Sequence, residues 1–162
     1  MQHDAMIDEY AAGGSKLRQA VAGLTTQELN AFPVPGTWSI QQICVHLLHS
    51  DLFAVGRMCQ ILAEDVPLLM DWNENTFVAR LRYDTLPIDD VITCYETMRR
   101  VMAATLRQSK DEDFGRHGIH SKKGKLTLEE ILVMYNRHLA HHLDYLKTKR
   151  SMLGKPLAES GA

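Results

Sequence analysis

Apolar side chains recur every three or four positions in four long stretches of this chain. No stretch alternates apolar with polar in the two-residue period of a half-buried strand. That pattern constrains the fold more than any other feature, because it requires helices that each bury one face. In the first stretch Ile7, Tyr10, Gly14, Leu17, Val21 and Leu24 share a face. FPVPG, Phe32 to Gly36, forbids helix and acts as a spacer. The second helix opens at Ser39, with Gln42 three residues on completing a capping box, and runs to about Ala63. Pro87 suits a first turn, and Asp89 and Asp90 favour the positive end of the helix dipole. The third helix carries Ile88, Val91, Ile92, Tyr95, Met98, Met102 and Leu106 on one side. Thr127 and Glu130 make another capping box, and the last helix runs to about Leu153, ending at Gly154 before Pro156.

Between the second and third helices, EDVPLLMDWNENTFVARLRYDTLP has mixed periodicity. It reads as a long crossover with a short helix near Glu74 to Leu81, and crossovers of this length are often functional lids. SKDEDFGRHGIHSKKGK reads as a polar, solvated loop, with His117 and His120 solvated or overhanging a pocket mouth. The expected fold is all-α: an antiparallel four-helix bundle with a long crossover between helices 2 and 3, a single domain over residues 1–162.

Composition narrows function mainly by exclusion. A net charge of −2 gives no general pull toward nucleic acid or an acidic membrane. No apolar run approaches the roughly 18 residues a membrane span needs. MQHDAMIDEY lacks the apolar core of a signal peptide, so a cytoplasmic location is expected. Cys44, Cys59 and Cys94 contain no C-x-x-C pair and suggest neither a disulfide framework nor a thiolate zinc site. The methionines are core filler at helical spacing.

Histidine is the unusual residue, with eight in the chain and three of them within RHLAHHLDYL, Arg137 to Leu146. Each residue advances about 100° around a helix. With Leu128 at zero, Ile131 falls at about 300°, Tyr135 at about 340° and Leu139 at about 20°. His138 at about 280° and His142 at about 320° lie inside this apolar arc, while His141 at about 220° sits at its edge. Two core-facing imidazoles at i and i+4 have the spacing that lets two side chains share one metal ion, although a hydrogen-bonded pair is the commoner use of such residues. A metal also needs a ligand from elsewhere. On the second helix His46, Ser50, Phe53 and Arg57 line one stripe beside the apolar arc, so His46 can meet the pair across the core. His49 points further from the core, as a surface residue or a group behind the ligands. Asp51 lies nearer the arc centre, as a paired buried acid.

The segments carrying these residues resemble a known family. GTWSIQQICVHLLHSD is similar to the Trp-Ser helix start and following His-Leu of the DinB-like (YfiT-like) metal-binding four-helix bundles. NRHLAHHLDYL resembles that family's closing H-x-x-H-H helix, and VPLLMDW and GKLTLEEILVMYNRH resemble intervening segments. The resemblance implies a divalent ion bound by one histidine of the second helix and two of the last, which fall on His46, His138 and His142. The family often has Asp where this chain has His49. As a fourth ligand His49 would close the site and argue against catalysis. The family name implies no DNA polymerase.

Three neutral imidazoles leave the ion's charge uncompensated and at least one position open, the mark of a catalytic site. A bound water there drops to a pKa of roughly 7, and a bound thiol deprotonates. The resemblance implies both uses: a metal-dependent hydrolase, or an S-transferase using a low-molecular-weight thiol such as mycothiol, bacillithiol or glutathione. A non-catalytic metal or small-ligand binding protein is the alternative. Imidazole suits several metals, with zinc or nickel expected. Arg57 either clamps a substrate carboxylate or phosphate, or bridges to Asp71 or Glu74. Tyr135 is a core aromatic or a hydroxyl donor near the ion, and Trp38 is helix-start packing. The expected partner is a small-molecule substrate, and an exposed apolar helix flank makes a homodimer unsurprising.

Overall fold

Both expected capping boxes are present and fix where two long helices begin. The Ser39 hydroxyl accepts from Gln42 N–H at 3.1 Å while Gln42 Oε1 accepts from Ser39 N–H at 3.0 Å. Thr127 and Glu130 make the same exchange. The computed structural model describes residues 2–157. In chain order its elements are α1 (Asp4–Val21), α2 (Thr26–Leu29), α3 (Ile40–Ala63), β1 (Leu68–Leu69), α4 (Glu74–Arg80), α5 (Ile88–Gln108), β2 (His117–His120), β3 (Gly124–Thr127) and α6 (Leu128–Met152). The four long helices are α1, α3, α5 and α6, and the fold is the expected all-α bundle. Pro87 sits just ahead of α5 as its cap. Past the end of α6, Gly154 takes φ +69°, the left-handed conformation that lets Lys155 N–H reach the Arg150 carbonyl.

Contacts between elements give the order and direction of the helices. α1 packs on α5 and α6, and α3 packs on the same two, so α1 and α3 are diagonal. Arg18 meets Glu96 while Asp8 meets Arg107, so α1 and α5 are antiparallel. Met6 meets Asn136 while Ala20 meets Arg150, so α1 and α6 are parallel. His46 meets His138 and Arg57 meets Tyr135, so α3 and α6 are antiparallel. The helices therefore run up, down, down, up. Two of the four lateral contacts are parallel, where the sequence suggests a uniformly antiparallel bundle. The reason is the crossover: residues 64–87 return the chain to the end where α3 began, so α5 repeats the direction of α3.

The segment read as a solvated polar loop is instead part of a three-stranded sheet. β2 and β3 form an antiparallel hairpin closed by Gly124, and β1 pairs parallel with β2 in the register Leu68↔Ile119, Leu69↔His120. Strands of two and four residues are too short to show alternation, and their pairing is decided by chain distant in sequence. Gly118 permits the close approach: a Cβ there would lie 2.8 Å from the Pro67 carbonyl oxygen.

The core has two parts. One gathers Ile7, Met58, Ile61, Leu106, Phe114 and Leu132, and the other Leu17, Ile40, Leu47, Val91, Ile92 and Leu146. Between them lies the fully buried Arg99, paired with Asp51 and with its guanidinium carbon 4.3 and 4.7 Å from the Tyr10 and Tyr95 ring centres. Its Nη groups also donate to the Tyr10 and Tyr135 carbonyls. Burial pushes the Asp51 carboxyl up, and the guanidinium pulls it back. Among the described residues, no helix is long and apolar enough to cross a membrane.

Candidate metal centre

The antiparallel contact of α3 with α6 sets His46 against His138 and His142, which lie one helical turn apart. His138 Nε2 stands 3.1 Å from Nε2 of His46 and 3.1 Å from Nε2 of His142. One ring nitrogen from each residue lies within 4.8 Å of the others. A neutral imidazole has one N–H and one lone pair. Proton sharing therefore satisfies at most one of the two contacts at His138 Nε2, whereas a shared cation satisfies both. An ion with nitrogen ligands at about 2.0–2.1 Å in tetrahedral geometry spaces them about 3.3–3.4 Å apart, close to the observed separation.

The protonation state suits a cation as well. Burial, reinforced by the neighbouring rings, lowers the pKa of His46 to about 3. Burial, then His142 and Arg99, lowers His138 to about 3, and burial, then His141, lowers His142 to about 4. All three are neutral near pH 7, the form that binds metal. Each Nδ1 is buried with no hydrogen-bond partner among the described residues, although the Glu74 carboxylate comes within 3.8 Å of His46 Nδ1. The residues present fit a divalent ion.

Cavities lie on both sides of this centre. A polar one of about 610 Å³ reaches His138 and is lined by Ser50, Arg57, His120, Lys122 and Tyr135 among others. Arg57 is almost fully buried. It donates to the Tyr135 hydroxyl at 3.2 Å and to the Met70 carbonyl, and among the described residues no carboxylate lies within ion-pair distance of it. The expected bridge to Asp71 or Glu74 is absent, because Asp71 is held by Lys122 at 2.5 Å and Glu74 lies beside His46. The second cavity, about 470 Å³ and mostly apolar, reaches His142.

Other candidates fall as follows. His49 stands apart from the cluster, sharing a 2.6 Å hydrogen bond between its Nδ1 and the Tyr83 hydroxyl. Trp38 does more than pack a helix start, since its ring centre is 4.9 Å from that of His46. His120 is buried, not solvated; its Nδ1 accepts from Lys122 and Lys123 N–H, and its ring lines the polar cavity. His117 is half-buried in β2. The crossover contributes two residues that helical periodicity does not single out. Trp72 stacks on Phe53 at 5.0 Å and approaches His46 at 5.8 Å, and Glu74 flanks the same ring. The nearest sequence signal is the family-like VPLLMDW.

A four-helix bundle whose second and last long helices bring three imidazole nitrogens to one point, between two cavities, defines the class: a three-histidine bundle protein. A sequence profile described as the DinB superfamily matches residues 9–146, most of the chain. The chain belongs to that superfamily. It is 25% identical over 154 residues to YfiT of Bacillus subtilis, covering 94% of this chain and 86% of YfiT, whose name provisionally makes it a metal-dependent hydrolase. A similarly named relative from Bacillus licheniformis is 27% identical over 139 residues, 85% of this chain and 79% of the relative. The solved structure of YfiT, described as having an unusual four-helix bundle topology, superposes with a TM-score of 0.89 at 25% identity, covering 94% of this chain and 88% of that one. A mycothiol-dependent maleylpyruvate isomerase superposes at 0.69 with 15% identity, covering 88% of this chain and 59% of that one, a likeness of fold alone.

Proposed function

We propose that this chain is a metal-dependent enzyme acting on a small molecule, with zinc or nickel held by His46, His138 and His142. The observation that carries the reading is the convergence of three neutral imidazole nitrogens that proton sharing does not explain. The named relatives favour hydrolysis. A divalent ion held by these three residues would supply Lewis acidity. Arg57, which has no carboxylate partner among the described residues, binds a carboxylate or phosphate of the substrate, and the Tyr135 hydroxyl holds the guanidinium in place and offers a further polar contact. Trp38 and Trp72 flank the His46 ring, and Phe53 stacks on Trp72. The location expected for such a protein is the cytoplasm.

The two cavities, one lined by His142 and one by His138, favour a second reading, transfer to or from a low-molecular-weight thiol, since two reactants would then have separate approaches to the histidines. Elemental analysis of purified protein beside a His46/His138/His142 triple variant tests the centre. One equivalent of metal, lost in the variant, is expected; equal metal in both removes the assignment. Ester and amide cleavage and thiol conjugation, assayed in parallel with added metal, separate the two chemistries. No turnover in any of them would leave a binding protein instead.

A further inference from the structure

The apolar cavity beside His142 contains a lysine. Val34, Trp38, Ile43 and Tyr145 line it together with Thr37 and Lys149. Lys149 is 3% exposed, and its Nζ donates to the Thr37 hydroxyl at 2.6 Å. Among the described residues no carboxylate lies within ion-pair distance of it. Buried ammonium groups are normally paired. One hydrogen bond to a neutral hydroxyl leaves two of its three donors and its charge uncompensated. Desolvation lowers its pKa, as expected for a cation without a counter-ion. Lys149 follows His142 by seven residues on α6, two turns, so the two Cα atoms stand about 10 Å apart along the helix axis.

We infer that this cavity is a binding site for an elongated organic anion, with its carboxylate on Lys149 and its apolar body along Trp38 and Ile43. A cavity of about 470 Å³ is within the usual range for small ligands. A ligand about 10 Å long matches the axial distance from Lys149 to His142. The site is separate from Arg57, which serves the polar cavity on the other side of the histidines. The inference does not require the metal reading: the walls and the head group are complete without an ion.

The test uses 4-phenylbutyrate and its uncharged amide, with calorimetry and Trp fluorescence on EDTA-treated wild-type protein. The carboxylate is expected to bind saturably and at least tenfold tighter than the amide. Lys149→Met should remove that difference, Lys149→Arg should restore most of it, and Lys147→Met, at an exposed lysine of the same helix, should leave it unchanged. Equal binding of acid and amide to the wild type overturns the inference without any variant. So does unchanged preference in a folded Lys149→Met protein, or no saturable binding of either probe. If binding survives EDTA while elemental analysis finds no metal in the untreated protein, the anion site stands and the metal reading falls.

Discussion

At the scale of single residues, the centre depends on which atoms lose their ordinary environment. His138 Nε2 is the shared member of both short contacts, so His138→Ala should remove bound metal and turnover together while leaving the bundle helical by circular dichroism. Retained stoichiometric metal would contradict its placement. Arg57→Gln should raise KM for an anionic substrate about tenfold or more, the usual worth of a charge-assisted hydrogen bond, with metal content unchanged. The three buried rings also set a pH dependence. Their folded values of about 3 to 4 lie below the ordinary 6.5, so the folded chain binds fewer protons between those limits. Stability of metal-free protein should be complete above about 6.5 and fall as the pH drops toward 4. Thermal denaturation of EDTA-treated protein across that window checks this, and a flat midpoint would rule out burial as the cause. The directions of His46, His138 and His142 are legible in the sequence because helical period alone fixes them. The partners of Arg57 are not, since Lys122 takes Asp71 from a hairpin far along the chain. Lys149 escapes notice because one lysine among the basic residues ending a helix looks like a response to its dipole.

At the scale of elements, the capping boxes and Gly14 carry local and tertiary information respectively. Thr127→Ala should cost about 1 kcal/mol by denaturant unfolding, because it orphans Glu130 N–H at the start of the helix bearing two of the histidines. Gly14 lies mid-helix, where glycine is normally unfavourable, but a Cβ there would come 2.6 Å from Glu96 Cα on α5. Backbone cannot yield as a flexible side chain can, so Gly14→Ala should destabilise by about 1–3 kcal/mol despite its better helix propensity. A stabilised variant would mean the helices separate easily. Helix starts are legible because a cap and its N3 partner sit within four residues. The sheet is not: β1 has two residues, and its register depends on a strand fifty positions later.

At the scale of the whole molecule, Asp51 and Arg99 join the two parts of the core. Asp51→Asn leaves a buried guanidinium without its counter-charge and should cost about 3–5 kcal/mol, measured by equilibrium unfolding. The bundle is legible from four amphipathic periods, but helix direction is not, because only the docked crossover shows that the chain returns before α5 begins. Its consequence reaches back to synthesis. His46 emerges from the ribosome 92 residues before His138. Until α6 has been made, a nascent chain presents only one of the three imidazoles of this cluster, so the proposed metal site cannot assemble before that helix is synthesised.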